Sequence, residues 1–343
     1  MSEQDFSALS TTKSIQLSHG GGGQEMNKLI KGLFFKAFDN AILRSEEDAA
    51  VLTLEGKTAF TTDSFTVSPL FFAGGNIGKL AIAGTVNDLA MMGAQPQYLS
   101  CSVIIEEGFE IDKLKTIVSS MAKELSMSGA KSVCGDTKVV PKGCADGLFI
   151  NTTGVGKIMQ TGISVRNLAD GDAIIVSRDV GRHGAAILMA REGLTLESEL
   201  ISDCNTLWPA VEALIAAGLD IHAMRDATRG GLSAVLNEWS QASDVGINLV
   251  EDDVPVSEEV RGLCELYGFE PFDLANEGTF IIALPQAQAQ KALEVLEAFA
   301  ACDNACVIGS VNNEHTGRVI LTSGWGSRRY LDLPQGELLP RIC

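Results

Sequence analysis

Short strand-like runs alternate with stretches of helical periodicity along almost the whole chain, and this alternation predicts layered α/β (α+β) domains. The strand-like runs of the first half are AAVLTL (49–54), TAFTTD (58–63), YLSCSVII (98–105), SVCGDTKVV (132–140) and LFINTTGVG (148–156). Helical patterns at 24–38, 76–92 and 111–128 separate some of them. A second unit starts at the turn-like ADGD (169–172) and leads into AIIVS. Helical patterns follow at 183–192, 205–217, 229–242, 257–267 and 286–299, with strands at 246–250, 279–284, 305–311 and 318–322. The chain has 343 residues, and domains run to roughly 150. We therefore expect a disordered segment 1–13, domains at 14–160 and 161–323, and a flexible tail 324–343. No internal repeat supports a solenoid.

Lys and Arg total 26 against 44 Asp and Glu, a net charge of −18. Such a surface repels nucleic-acid phosphates and anionic lipid, so neither is an expected partner. The N-terminus lacks the basic and apolar segments of a secretory signal, and no apolar run is long enough to span a membrane. A cytoplasmic protein is expected. Eight cysteines over this length make no disulfide scaffold, and Cys302 and Cys306 have no matching second pair for zinc. All but Cys343 read as small core residues.

AGGNIGKL (73–80) approaches a phosphate-binding P-loop, but Ala73 and Leu80 replace the required Gly and Ser/Thr, so it reads as a turn capped by Asn76. The helix behind it places Ile77, Ala81, Gly84, Asp88 and Met91 on one face. A carboxylate on that apolar stripe needs a partner or a metal. Asp48, Asp63 and Asp136 lie at strand ends, where α/β sheets commonly bind ligands. Four Asp residues converging on one cleft would hold magnesium and, through it, a polyphosphate. Lys138 is a candidate local cation. Each Asp singly also fits a turn or cap. MRDATRGG (224–231) fits an anion site at a helix start, or a plain capped turn. Glu277, in ANEG (275–278), stands before an apolar strand or in a surface turn.

The ten residues Pro334–Cys343 can extend about 33–36 Å, enough to swing a terminal thiol between a cleft and solvent. A chance terminal cysteine fits as well. Prenylation is excluded, because it needs the cysteine fourth from the end.

HGGGG (19–23), TTDSF (61–65), GGNIGKLA (74–81), GTVNDLAMMGA (84–94), GDTKVV (135–140), RDATRGG (225–231), NEG (276–278) and the final PRIC (340–343) together resemble the HypE family of hydrogenase-maturation proteins. The resemblance runs from about Ile15 to Cys343. It implies a two-domain fold like aminoimidazole ribonucleotide synthetase, with the N-terminal sheet pairing across a homodimer. It also implies a carbamoyl group delivered to Cys343 by HypF and its ATP-dependent dehydration to a thiocyanate. The cyanide would pass to the HypC–HypD complex for the iron of [NiFe] hydrogenase. On this likeness Asp48, Asp63, Asp88 and Asp136 are the magnesium and ATP set, with Asn87 and Thr137 nearby. Lys138 would stabilise charge, Glu277 positioned by Asn276 would accept a proton, and Arg225 and Arg229 would contact phosphates. A small-molecule kinase or synthetase of the same superfamily, or a nonenzymatic maturation adaptor, is the alternative.

Overall fold

In the computed structural model, which describes residues 13–45, 49–193, 200–334, 339 and 341–343, the helix expected over 24–38 begins as α1 (Gln24–Leu29). It then widens into a π-wound turn over Ile30–Phe35, with Leu29, Leu33 and Phe34 buried. The expected disordered segment lies outside the described residues except for Lys13, whose carbonyl accepts from Ile111 N–H. The run 49–54, expected as a strand, is not one, and Val51 is 87% exposed. Apolar alternation makes a strand only where a neighbouring strand completes its hydrogen bonds.

Strands β1 (Thr58–Phe65), β2 (Phe71–Phe72) and β3 (Gly75–Asn76) follow, then α2 (Ile77–Met91), β4 (Ala94–Glu106), α3 (Ile111–Ser128), β5 (Lys131–Val140) and β6 (Leu148–Ile158). The sheet order is β1-β6-β4-β5. Only β4 and β5 run parallel, with α3 as their crossover. α3 occupies the interval read from sequence and ends at Gly129, whose φ of 73° is left-handed backbone that glycine adopts without strain.

Asn76 caps α2 as expected, its side chain accepting from the Gly78 and Lys79 N–H groups at 2.9 and 3.1 Å. Such a cap contributes about 1 kcal/mol. α2 has 13 of its 15 residues buried, because it packs on the N-terminal sheet and α3 and also touches the second domain. A Cβ at Gly78 would run into the Ile117 carbonyl of α3, so the close helix approach needs glycine there.

The second domain comprises β7 (Asp172–Val176), α4 (Arg182–Glu192), α5 (Trp208–Ala216), β8 (Ala223–Asp226), α6 (Gly231–Ser243), β9 (Gly246–Val250), α7 (Glu258–Tyr267), β10 (Phe280–Pro285), α8 (Ala289–Leu296), β11 (Cys306–Asn312), β12 (Val319–Thr322) and β13 (Arg328–Tyr330). Its sheet runs β13-β12-β9-β11-β7-β10-β8 and is parallel only at β12–β9. The helix expected over 286–299 shortens to α8 behind a 3-10 turn. β13 and buried Leu331 carry the sheet beyond 323, where the sequence reading starts the tail. One face of this sheet shares a core with α2 through Leu207, Trp208, Val211 and Phe280. The other packs around Leu236 and Trp239 of α6. Among the described residues no helix is long and apolar enough to cross a membrane.

Candidate active site

The end of the tail, expected to be flexible, is seated between the domains. Thr66 N–H donates to the Cys343 carbonyl at 2.9 Å and Ser68 N–H to the Arg341 carbonyl at 3.2 Å. Ile342 is buried in the shared core. Cys343 thereby joins Asp63, Asp88, Asp226, Arg229 and Glu277 around one cavity of about 40 Å³. A larger cleft of about 460 Å³ shares Arg229 and Cys343 with it.

Local structure aims each acid inward. Asp63 lies opposite Thr152, whose hydroxyl donates to the Ala81 carbonyl of α2, so both occupy the α2-facing side of the sheet. Asp88, on α2, accepts from the Thr61 hydroxyl at 2.7 Å. On β8 the alternation turns Asp226 inward and Arg225 outward. The Glu277 and Gly278 N–H groups donate to the Asp203 carboxylate at 3.1 and 2.9 Å, and the Thr279 hydroxyl donates at 2.8 Å. A Cβ at Gly278 would collide with the Asp203 carbonyl, so the backbone beside Glu277 approaches too closely for any other residue.

Asp226 and Glu277 are buried and Asp63 and Asp88 half-buried, with little opposing charge. The Glu277 carboxyl is pushed well above its ordinary range by burial and then by Asp226, Asp203, Asp63 and Asp88. Its Oε1 has no hydrogen-bond partner among the described residues. Burial, followed by the Asp88 charge, pushes Asp226 up to about 7. Asp63 and Asp88 are also raised, chiefly by burial. Burial pushes the Cys343 thiol up to about 12, with Glu277 adding to the rise and Arg229 opposing it.

A consequence can be measured. Folded Asp226 holds a proton that the unfolded chain, with its ordinary value of 3.8, releases. Its stabilising contribution is complete at low pH and is lost as pH rises through about 7. Thermal melts of the ligand-free protein should show Asp226→Asn equal to wild type near pH 4 and higher melting at pH 8. A pH-independent difference would remove this account.

Other residues singled out from sequence lie elsewhere. Asp136 is opposite Ser102, Ser102 opposite Asn151 and Asn151 opposite Ser64, which puts Asp136 on the open face of the N-terminal sheet, away from Asp63. Lys138, two residues on, shares that face and pairs with Asp136 at 2.9 Å. The four Asp residues expected in one cluster are thus not gathered within one chain, and Asp48 lies outside the described residues. Thr137 is buried beside Cys134, lining a separate apolar pocket. Arg225 pairs with Glu238 at 2.6 Å on the surface, whereas Arg229 lines the cavity.

Asn87 and Asn276 are struts. Asn87 Nδ2 donates to the Asn205 carbonyl at 3.0 Å and its Oδ1 accepts from Leu207 N–H at 2.8 Å. Asn276 Oδ1 accepts from Gly181 N–H, and its Nδ2 donates to the Ala227 and Leu274 carbonyls. Asn276 holds the loop that carries Glu277, while Asp203 grips the Glu277 backbone. Sequence reasoning missed Asp203, which stands in no periodic segment, and His183. It read Asp226 as part of an anion site at a helix start or of a capped turn, not as one of the clustered acids, although the inward position in AMRD was a usable signal.

No three His, Cys, Asp or Glu side chains among the described residues close a metal cage by themselves. Magnesium takes only one or two carboxylates and completes its shell with phosphate oxygens and water. The raised carboxylates Asp63, Asp88 and Asp226 fit an ion that arrives with a phosphate ligand.

The family described as AIR synthase related protein matches over residues 46–158 with its N-terminal domain and 169–322 with its C-terminal domain. Carbamoyl dehydratase HypE of Escherichia coli (strain K12) is 47% identical over 337 residues, covering 96% of this chain and 99% of that protein. A crystal structure of hydrogenase maturation protein HypE in complex with ATP superposes with a TM-score of 0.93 at 44% identity, covering 96% of this chain and 99% of that one. A chain of a HypE–HypF complex does so with a TM-score of 0.78 at 44% identity, covering 89% and 99%.

Proposed function

The chain belongs to the HypE carbamoyl dehydratases within the AIR synthase related proteins, and from that premise we propose that it dehydrates a carbamoyl group carried on its own Cys343 to a thiocyanate at the expense of ATP. The product supplies cyanide for the iron of [NiFe] hydrogenase. One observation carries this reading: the terminal sulfur lies in the same cavity as Asp63, Asp88, Asp226 and Glu277.

An amide oxygen leaves poorly, so ATP must first convert it to a phosphate ester. The carbamoyl oxygen attacks the γ-phosphorus and ADP departs. The nitrogen then loses its two protons as the C–O bond breaks, releasing phosphate and forming C≡N. The cavity residues have separate tasks. Glu277, buried and made more basic by its neighbours, accepts a nitrogen proton. Arg229 faces the developing phosphate charge. One or two of Asp63, Asp88 and Asp226 would hold magnesium together with phosphate oxygens and water, and the ion when bound would neutralise the nucleotide phosphates.

Seated Cys343 lines a cavity of only about 40 Å³, too small to admit a second protein, and burial there raises its thiol, which makes it a poorer nucleophile. Loading with a carbamoyl group therefore takes place with the tail released to water, where HypF meets Cys343, and dehydration with the tail seated. HypC–HypD receives the cyanide from the released tail.

The open face of the N-terminal sheet exposes Phe60 (71%) and Ile104 (42%), which favours pairing with a second copy. Such a pairing would set Asp136 and Lys138, which share that face, at the seam between the two copies, where Lys138 would steady transferring charge. The double variant Phe60→Glu, Ile104→Glu should sediment as a 36.3 kDa monomer, and wild type at twice that mass. A monomeric wild type ends this part of the reading.

The central test is intact-protein mass after incubation with the carbamoyl donor system, before and after Mg-ATP. A gain of one carboxamide followed by ATP-dependent loss of one water is expected. Carboxamide retained in the presence of ATP would refute the reading.

A further inference from the structure

The seated tail is read by its side chain as well as by its backbone. Arg341 Nη1 pairs with Asp146 at 2.6 Å and its Nε donates to the Thr66 carbonyl at 2.9 Å. Its guanidinium carbon lies 5.7 Å from the centre of the Phe149 ring. From the other side, α4 presents two residues to the tail carbonyls. His183 Nε2 is 2.8 Å from the Ile342 oxygen and Arg191 Nη2 donates to the Arg341 oxygen at 2.6 Å. His183 Nδ1 is held by the Ser202 hydroxyl at 2.7 Å, which orients the ring. Arg191 Nε also donates to the Ser68 carbonyl, tying α4 to the segment that pairs with the tail.

This seat works against a local backbone cost. Arg341 has φ of 54°, left-handed backbone that a residue with a Cβ adopts only under constraint. Seating thus combines strain with a set of specific contacts, an arrangement suited to reversible release. A lone half-exposed ion pair would hold little. Here it acts with a ring face, a carbonyl and the two α4 contacts to the tail carbonyls, from buried His183 and half-buried Arg191.

We propose that Asp146, Phe149 and the Thr66 carbonyl form a seat that recognises Arg341, and that these positioning residues, with His183 and Arg191, set the balance between a cavity-bound and a released Cys343. The proposal rests on the reading of Cys343 as the carrier and adds how its two positions are controlled. A tail lacking arginine at 341 would be seated less often, whatever its terminal thiol.

Alkylation of the ligand-free full chain with iodoacetamide, followed by mass spectrometry of the C-terminal peptide, measures release. Arg341→Gln should speed Cys343 alkylation about tenfold and Asp146→Asn about threefold. The double variant should match Arg341→Gln alone, because the two side chains act on each other. Arg341→Gly, which removes the backbone strain together with the side chain, should still speed alkylation. Cys134, which is exposed and not in the core as its sequence context suggested, and buried Cys204 are internal controls and should keep their wild-type rates, since Arg341 lies in the tail and its loss leaves both sheets intact. Unchanged Cys343 alkylation in Arg341→Gln, or additive effects in the double variant, would overturn the seat. Because these rates are read on the free thiol without ATP, they stand apart from the mass test of water loss, and either idea can fail alone.

Discussion

Cys343→Ala should abolish both carbamoyl gain and thiocyanate formation while leaving the fold intact. The sulfur is the substrate handle, and among the described residues no second thiol lines the cavity. The residue ends the chain, and its backbone carbonyl, which alanine retains, makes the contacts to Thr66. The melting temperature should consequently move by no more than a few degrees, the scale of about 1 kcal/mol in a chain of this size. Intact mass with and without Mg-ATP is the measurement. Water loss that survives in the alanine variant would transfer the chemistry to another group and leave the tail as a mere adaptor, whereas its disappearance separates this protein from a small-molecule kinase on a related scaffold.

Glu277→Gln should slow ATP-dependent water loss by about 10²–10⁴, the range for removing a positioned acid–base group. Glutamine preserves the size of the side chain, and the backbone bonds to Asp203 are untouched. Carbamoyl loading should continue, because it takes place with the tail released. The same variant should be more stable than wild type in alkaline solution. Folded Glu277 titrates well above the ordinary 4.5, so its contribution to stability is full in acid and is lost as pH rises through that elevated value. Slower chemistry combined with higher melting at pH 8 identifies a buried acid kept for function. Single-turnover rates within threefold of wild type would remove Glu277 as proton acceptor.

Several elements were readable because local chemistry and tertiary demand agree. α3 has an amphipathic face and a glycine at its left-handed stop, and α2 has an Asn cap ahead of small residues. Both formed within a residue or two of the expected bounds. The run 49–54 carries an equally good strand pattern but is not a strand, since a strand requires a neighbour that its own residues cannot specify. β8 and β13 are too short to show a period of their own, and they exist because an edge was available beside β10 and β12.

The candidate site divides along similar lines. The alternation of β8 and β5 already contains the facts that Arg225 turns from Asp226 and that Asp136 and Lys138 point the same way. Which face looks toward the cleft depends on where α2 packs, and that is a long-range matter. Asp203 grips Glu277 across 74 positions of sequence, beyond any periodicity.

From the order of its residues alone, this chain specifies layered α/β elements, a row of acids beside turns and a thiol on a terminal arm, because periodicity, capping and length act over a few residues. Only the packed structure decides that Asp63, Asp88, Asp226 and Glu277 meet Cys343 while Asp136 and Lys138 face away. Burial, mutual charge and the choice of sheet face are properties of segments brought together from opposite ends of the chain, and no local pattern encodes them.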